Sequence, residues 1–133
     1  AARAIGEARA YPFFLFREAD GVFVGAITVD NLRRGPAMSA TVGYWLGETH
    51  VGQGYMTEAL GEVREFTFRD LGLSRLEAGC LPENAASRRV LERCGFKYEG
   101  VAQAYLQIAG RWRNHVLYAA LRADRRGRAE DAG

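Results

Sequence analysis

The chain has 133 residues, of which 48% are hydrophobic, and its 18 basic residues nearly balance its 16 acidic residues to give a net charge of +2. This composition predicts one soluble domain with a core of ordinary size, and it excludes a nucleic-acid binder driven by bulk charge. No apolar run approaches the roughly 20 residues that a membrane-spanning helix needs. The two cysteines, Cys80 and Cys94, are predicted to be free thiols of a cytoplasmic protein.

The first half of the chain predicts three strands that lead into a glycine-containing loop. Residues 11–17 and 22–30 are predicted to form a hairpin, because Ala19-Asp20-Gly21 between them is typical of a tight turn. Residues 33–36, with the sequence Arg-Arg-Gly-Pro, are predicted to be a loop. The third strand is predicted at Ser39–Leu46.

The second half predicts two helices and three further strands. Six apolar residues after the loop follow the 3.6-residue spacing of an amphipathic helix that ends near Leu71-Gly72; they are Met56, Ala59, Leu60, Val63, Phe66 and Phe68. The later elements are a strand at 75–81, a helix at 84–94 that stops at Gly95, strands at 97–105 and 112–121 joined around Ala109-Gly110, and a charged tail from Ala123. This order predicts an α/β fold with a mixed sheet.

The loop between the third strand and the first helix predicts an anion site. Gly52 and Gly54 allow a tight turn and a close backbone approach, and the following helix N-terminus adds about half a positive charge. A Walker loop would need a lysine here, but the only lysine is Lys97. A dinucleotide fingerprint would need a third small residue where Thr57 stands. The remaining alternatives are phosphate or pyrophosphate binding and a purely structural turn.

Two separate blocks of sequence resemble a known family. Residues 52–59, Gly-Gln-Gly-Tyr-Met-Thr-Glu-Ala, are similar to the acetyl-CoA loop of the GNAT superfamily of N-acetyltransferases. The narrower resemblance is to the branch that acetylates N-terminal alanines of ribosomal proteins, the RimJ/RimL type. A second block, in which Asn84 and Ser87 precede Gly95-Phe96 and Glu99-Gly100, is similar to the family's Asn-x-x-Ser…Gly-Phe…Glu-Gly signature.

The resemblance implies a fold and a reaction. The implied fold is a mixed, mostly antiparallel sheet flanked by helices, and the implied cosubstrate is acetyl-CoA, without a metal. The implied acceptor is a protein N-terminal amine, an alanine of a ribosomal protein, with no direct nucleic-acid or membrane contact. Two alternatives stay open: an acetyltransferase for a small amine, and a noncatalytic acyl-CoA-binding or ribosome-binding module. The oligomeric state is open as well.

The chain also departs from the family pattern. Val51 stands where Gln or Arg is usual, Met56 where a small residue is frequent, and Asn114 where the branch often has an aspartate. The family has a strand and one or two helices ahead of the segment that begins here at Tyr11, whereas residues 1–10 predict only the tail of a helix. The expected organisation is therefore one acetyltransferase domain at residues 1–122, incomplete at its N-terminus, and a charged tail at 123–133.

The resemblance assigns cofactor contacts to two parts of the chain. The implied contacts are Trp45, Leu46, Gly52, Gln53, Gly54, Tyr55, Met56, Thr57, Asn84, Ser87 and Arg89. Backbone N–H groups of the loop would meet phosphate, Asn84 the pantetheine arm, and an arginine of the second helix the 3′-phosphate. The alternative for Asn84 is a helix cap, and for Arg89 a solvated surface charge.

In acetyl transfer the amine must lose a proton before it attacks, and a weak or absent general base is tolerable because positioning supplies much of the rate. The thioester oxygen needs a hydrogen-bond donor, and the thiolate leaves more easily when it is protonated or hydrogen-bonded. Ser87 is the predicted thiolate donor, with capping or solvent contact as its alternative. Glu48 is the predicted proton acceptor, directly or through water, with a solvated loop carboxylate as its alternative. Cys80 could form an acetyl-cysteine, but a buried cysteine is more often a small hydrophobe. His50 and His115 have no partner that the sequence reveals.

Overall fold

A six-stranded sheet forms the body of the computed structural model, which describes residues 10–123. The strands are β1 (Ala10–Phe16), β2 (Phe23–Arg33), β3 (Ser39–Leu46), β4 (Arg75–Cys80), β5 (Lys97–Ile108) and β6 (Arg111–Leu121). Two helices, α1 (Tyr55–Arg69) and α2 (Ala85–Arg93), flank β4 in sequence. The strand order is β1-β2-β3-β4-β6-β5, and only the β3–β4 pair is parallel. The predicted mixed, mostly antiparallel sheet is confirmed.

Both helices in residues 10–123 pack on the same face of the sheet. The rings of Tyr11 and Phe13 on β1 contact Phe66 of α1, with centroids 5.7 and 5.3 Å apart. Tyr44, which pairs with Ile27 and so shares the face of Phe13, contacts Ser87 of α2. We call this face the helix-covered face. It holds most of the core, including Ile27, Val42, Leu60, Leu76, Leu91 and Tyr118.

The opposite face, called the open face, exposes large aromatic side chains. Phe14, Phe16 and Trp45 lie on it, and Phe23 joins them through ring contacts of 5.5 to 6.5 Å. Strand alternation explains this arrangement, since side chains that neighbour Tyr11, Phe13 and Tyr44 must point to the other side.

Two strands run further than the sequence predicts, because each contains a bulge. β2 was expected to end at residue 30 but continues to Arg33, past an irregular register in which Asn31 has φ 54°. β5 was expected to end at residue 105 but continues to Ile108, past a shift around Ala104, which has φ 48°. The Asn114 side chain accepts a 2.9 Å hydrogen bond from the Ala104 N–H and so satisfies the bulge.

The remaining expectations differ in outcome. The predicted turn around Ala109-Gly110 is confirmed, since Ile108 pairs with Arg111 across it. The predicted helix tail at residues 1–10 is wrong at Ala10, which opens β1, and otherwise lies outside the described residues. The predicted tail at 123–133 lies outside them as well, apart from residue 123.

Ion pairs on the open face join β2, β4 and β5 near the end of the sheet where β3 and β4 pair. Glu77 on β4 accepts hydrogen bonds from Arg33 of β2 (2.8 Å) and Arg75 (2.7 Å), and Arg75 also pairs with Glu99 of β5. Burial works to raise the pKa of Glu77, but the hydrogen bonds from the two arginines lower it overall. The network therefore supports the end of the sheet at which β3 and β4 are held together.

Candidate active site

The sheet divides between its two parallel strands. β3 pairs with β4 only through three residues, Ser39–Thr41 against 75–77. Beyond them, β3 continues to Leu46 while bonded to β2, and β4 continues to Cys80 while bonded to β6. We call the space between these two arms the β3–β4 gap. Each arm turns a strand edge toward the gap, so the gap offers main-chain donors and acceptors to an extended ligand.

The glycine loop leaves the end of the β3 arm and opens α1 with free donors. Gly54 is the N-cap residue in a left-handed conformation (φ 79°), and no side chain caps the helix. The first main-chain bond of the helix runs from the Glu58 N–H to the Gly54 carbonyl at 3.1 Å, so no N–H from Gly54 to Thr57 donates to another described residue. Four orphan donors and the positive end of the helix dipole together favour an anion.

Space at the loop suits a close approach. Gly52 (φ 78°) and Gly54 both have positive φ, and a Cβ at either position would have no heavy atom within 4 Å. A side chain there would project into open space and would also be strained. The Met56 side chain is buried in the core, so this residue offers a ligand only its backbone.

The start of α2 is built differently, because a side chain caps it. The Asn84 Oδ1 accepts a 3.1 Å hydrogen bond from the Ser87 N–H. The capping role of Asn84 is thus confirmed, yet its Nδ2 group remains available as a donor. The Ser87 hydroxyl takes no part in the cap, since its Oγ lies 2.7 Å from the Tyr44 hydroxyl.

The Tyr44–Ser87 contact places a pair of hydroxyls beside the gap. Tyr44 projects from the β3 arm and Ser87 from α2, 43 residues away. Burial raises the pKa of Tyr44 to about 12, with the hydrogen bond to Ser87 working in the opposite direction. Tyr44 therefore stays protonated at neutral pH and can donate to the Ser87 oxygen, which leaves the Ser87 proton free to be donated elsewhere.

Cys80, at the tip of the β4 arm, also interacts with Ser87. Burial raises the pKa of the Cys80 thiol, and a hydrogen bond with Ser87 only partly opposes this effect. The nucleophilic form of cysteine is the thiolate. A raised pKa keeps Cys80 a thiol at neutral pH, which argues against its use as an acyl carrier.

The other predicted residues surround the gap without forming a cluster. Glu48 lies exposed on a single 3₁₀ turn, Glu48–His50, just after the β3 arm, and it makes no hydrogen bond or ion pair within residues 10–123. Trp45 is 53% exposed on the open face of that arm, while Leu46 packs against the core. Arg89 is exposed on α2 and likewise has no partner among the described residues.

Arg88 differs from Arg89 because its guanidinium is hydrogen-bonded within the protein. Its guanidinium donates to the Tyr118 hydroxyl at 3.0 Å and to the Pro82 carbonyl at 3.1 Å, and Tyr118 in turn donates to Glu92 at 2.9 Å. Arg88 thus fixes α2 on the sheet. Arg89, in contrast, is exposed and makes no such contact with the described residues.

A second group of side chains lies at the β4 arm on the open face. Leu117 pairs with Gly79, so both share this face, and the Tyr105 ring lies 3.8 Å from where a Gly79 Cβ would stand. His115, only 5% exposed, packs against Tyr105 with ring centroids 5.5 Å apart. Sequence spacing does not predict that these side chains meet, because they come from β4, β5 and β6 and are brought together only by strand register.

A groove on the surface lies apart from the Ser87 and Cys80 side chains, and two features are absent from residues 10–123. A broad groove runs along the outer edge of β1 and over α1 between Phe16 and Asp70, away from the Ser87 and Cys80 side chains. No cluster of three metal-ligating side chains occurs in residues 10–123. No helix in this part of the chain is long and apolar enough to cross a membrane.

The fold and the site together define a class of α/β protein: its mixed sheet divides between two parallel strands, a helix with an uncapped N-terminus follows one of them, and the Tyr44–Ser87 hydroxyl pair lies beside the gap. The acetyltransferase (GNAT) domain family matches residues 2–97 of the chain. The chain belongs to the GNAT acetyltransferase family.

Individual relatives agree with this assignment. The chain is 40% identical over 114 residues to the probable N-acetyltransferase YjcK of Bacillus subtilis, and 36% identical over 110 residues to the ribosomal protein uS5-alanine N-acetyltransferase of Escherichia coli. These matches cover 86% and 83% of this chain. A structure of Mycobacterium smegmatis RimJ in complex with CoA-disulfide matches with a TM-score of 0.80 at 40% identity, over 86% of this chain and 54% of that one.

The matched relatives are longer than this chain. It spans 63% of the Bacillus subtilis protein and 57% of the Escherichia coli protein.

Proposed function

We propose that the protein is an acetyl-CoA-dependent N-acetyltransferase that modifies a protein N-terminal amine. The observation that carries this proposal is the pairing of an uncapped α1 N-terminus with a Ser87 hydroxyl that is held out of its own helix cap, at the two sides of the β3–β4 gap. The first feature suits a pyrophosphate and the second a departing thiolate.

The residues divide the binding of acetyl-CoA between the two arms. The N–H groups of Gly52 to Thr57, including those of Gln53 and Tyr55, would receive the pyrophosphate. The strand edge at Trp45 and Leu46 and the Nδ2 group of Asn84 would bind the pantetheine arm. The exposed guanidinium of Arg89 would meet the 3′-phosphate, since its planar fork matches phosphate geometry.

Direct attack of the amine on the thioester fits the site better than an acetyl-cysteine. Burial holds Cys80 as a thiol, whereas the Ser87 hydroxyl, backed by Tyr44, can protonate the leaving sulfur. Glu48 at the end of the β3 arm would attract the incoming ammonium. Positioning alone is worth up to about 7–11 kcal/mol in favourable cases, so the chemistry asks little more of the side chains.

The acceptor proposal rests on the relatives. One of them is named for uS5-alanine acetylation and another is a RimJ structure, which favours an alanine N-terminus of a ribosomal protein. Such a substrate would place the protein in the cytoplasm, with the acceptor chain as its partner rather than nucleic acid. The exposed aromatic side chains of the open face, Trp45 among them, offer an apolar wall for an extended peptide.

An acceptor panel tests the proposal. Peptides that begin with alanine, the same peptides with blocked N-termini, and a polyamine would each be incubated with acetyl-CoA and followed by intact mass. We expect acetylation of the free alanine N-terminus only. Turnover of the polyamine would favour a small-amine enzyme, and CoA binding without any turnover would favour a noncatalytic module.

A further inference from the structure

We propose that His115 is the base that takes a proton from the acceptor ammonium on the open face of the sheet. This inference rests on the proposed function and adds a catalytic residue to it. An α-amino group has a pKa near 7.7–8.0 and is largely protonated at neutral pH or below, so it must lose a proton before it attacks.

Strand register places His115 across the sheet from Ser87. Cys80, which interacts with Ser87 on the helix-covered face, pairs with Val116. His115 immediately precedes Val116 in β6 and therefore points to the open face, at the tip of the β4 arm. The two side chains thus stand on opposite faces at the same end of the β3–β4 gap. An amine that reached a thioester in the gap from the open face would pass His115 and leave Ser87 on the side of the sulfur.

The hydrogen bond of His115 sets its tautomer. Its Nδ1 lies 3.2 Å from the Arg113 carbonyl oxygen, and a carbonyl can only accept, so Nδ1 carries the hydrogen. In the neutral ring Nε2 then holds the lone pair. Among residues 10–123, the buried side-chain nitrogens without a partner are those of His50 and Arg64. Nε2 of His115, which has no partner either, is therefore reached by solvent or substrate.

Side chains from two other elements lie near His115. The Tyr105 ring from β5 packs against the imidazole, and Glu83, in the loop after β4, interacts with it electrostatically. Glu83 accepts a 2.5 Å hydrogen bond from Arg113, which lies on β6 as His115 does. This hydrogen bond lowers the pKa of the Glu83 carboxyl. Glu83 thus stays ionised near the imidazole.

The acceptor nitrogen loses two protons during the reaction. His115 Nε2 takes the first proton from the ammonium and releases it to solvent. The amine lone pair then forms the bond to the carbonyl carbon as the carbon–sulfur pair leaves with the sulfur. The nitrogen loses its second proton as the amide forms, which balances the proton that the sulfur receives through Ser87.

The test is the pH profile of kcat/KM with an alanine-starting peptide. His115→Asn retains a donor for the Arg113 carbonyl but removes the atom at Nε2. We expect a deficit of about 10²-fold at pH 6.5, within the usual range for a general base. The deficit should shrink by roughly 15- to 25-fold by pH 8.5, because the fraction of free amine rises by that factor across a pKa of about 7.7–8.0. His50→Asn, the same change at the other histidine, should keep the wild-type pH dependence.

Further measurements separate a loss of folding from a loss of function. CoA affinity by calorimetry and thermal melting should be close to wild type in His115→Asn, and His115→Gln should show the same pH-dependent deficit if the first variant unfolds. Nitrogen-15 NMR should show the Nδ1–H tautomer of neutral His115. A deficit that is constant with pH, no deficit, or an Nε2–H tautomer would overturn the assignment while the acetyltransferase proposal stands. Absence of peptide acetylation by the wild-type protein would overturn both.

Discussion

The Ser87 hydroxyl is available for a role other than helix capping, because Asn84 caps α2 in its place. A serine near the start of a helix is usually explained as a cap, but Asn84 caps α2 and the Ser87 hydroxyl turns to Tyr44 at 2.7 Å. The contact could not be predicted from the sequence, since the two residues lie 43 positions apart and their spacing carries no pattern.

Removal of the Ser87 hydroxyl should affect turnover more than folding. For Ser87→Ala we expect kcat to fall by roughly 10²-fold, because the thiolate loses its proton donor, while the Asn84 cap to the residue 87 N–H remains. Tyr44→Phe, which keeps the ring and removes only the supporting hydroxyl, should cause a smaller loss. Steady-state kinetics with melting curves would measure both. Normal kcat with a lowered melting temperature would mean that Ser87 is structural.

Glu48 should act by charge rather than by proton transfer. It is exposed and unpaired within residues 10–123, so Glu48→Gln should raise KM for the peptide by less than about tenfold, in line with the modest strength of solvent-screened charges. The effect should weaken as salt is raised and stay constant with pH. A deficit that is largest below the amine pKa of about 7.7–8.0 would instead identify Glu48 as the base.

At the scale of elements, the two helices differ in how their N-termini are satisfied. The α2 N-terminus is closed by Asn84, whereas the α1 N-terminus offers its donors to a ligand. This contrast gives one prediction for stability and one for binding.

Asn84→Ala should destabilise the protein by about 1 kcal/mol, the usual effect of losing a cap. Asn84→Asp retains an oxygen that can accept from the Ser87 N–H and should restore most of that stability. If Nδ2 also binds the pantetheine arm, neither variant should recover full CoA affinity. Chemical unfolding and calorimetry would separate the two effects, and a stable Asn84→Ala variant would contradict the capping role.

Gly54→Val should abolish most CoA binding, because the new side chain would stand in front of the α1 donors. Gly35→Val serves as the control variant, because it should cause similar backbone strain away from the loop. Gly35 lies in the β2–β3 turn with φ 81° and has no heavy atom within 4 Å of its Cβ position. Both variants should lose similar stability, roughly 1–2 kcal/mol for a left-handed residue. Calorimetry should find the loss of affinity, at least tenfold, in Gly54→Val alone; equal affinities would refute the loop assignment.

Sequence patterns predicted these elements well where local chemistry decides them. Periodicity located α1, and glycine and asparagine marked the ends of both helices. Strand ends were missed at Asn31 and Ala104, where a bulge lets the ladder continue past residues with positive φ. Bulges depend on the partner strand, so a single segment of sequence does not reveal them.

At the scale of the whole molecule, the sheet acts as a partition. Its helix-covered face supplies the glycine loop, Asn84, Ser87 and Tyr44, while its open face supplies Trp45, Tyr105 and His115. The β3–β4 gap joins the two sides, and the ion pairs of Glu77 hold the strands together where the gap closes. The resemblance to the GNAT family implies ligand contacts for the glycine loop, Asn84, Ser87 and Trp45, and these stay predictions. The contacts of Tyr44 with Ser87 and of Tyr105 with His115 depend on how the strands are placed, which only the structure provides.

The most direct test of the account is a quenched time course in which acetyl-CoA, the protein and an alanine-starting peptide are mixed and both polypeptides are weighed by intact mass spectrometry. The account predicts that the acetyl group appears on the peptide N-terminus from the earliest time point and that the protein gains no mass. A protein that gains one acetyl group before the peptide does, with the gain abolished in Cys80→Ala, would contradict direct transfer. A peptide that is never acetylated would contradict the proposed activity itself.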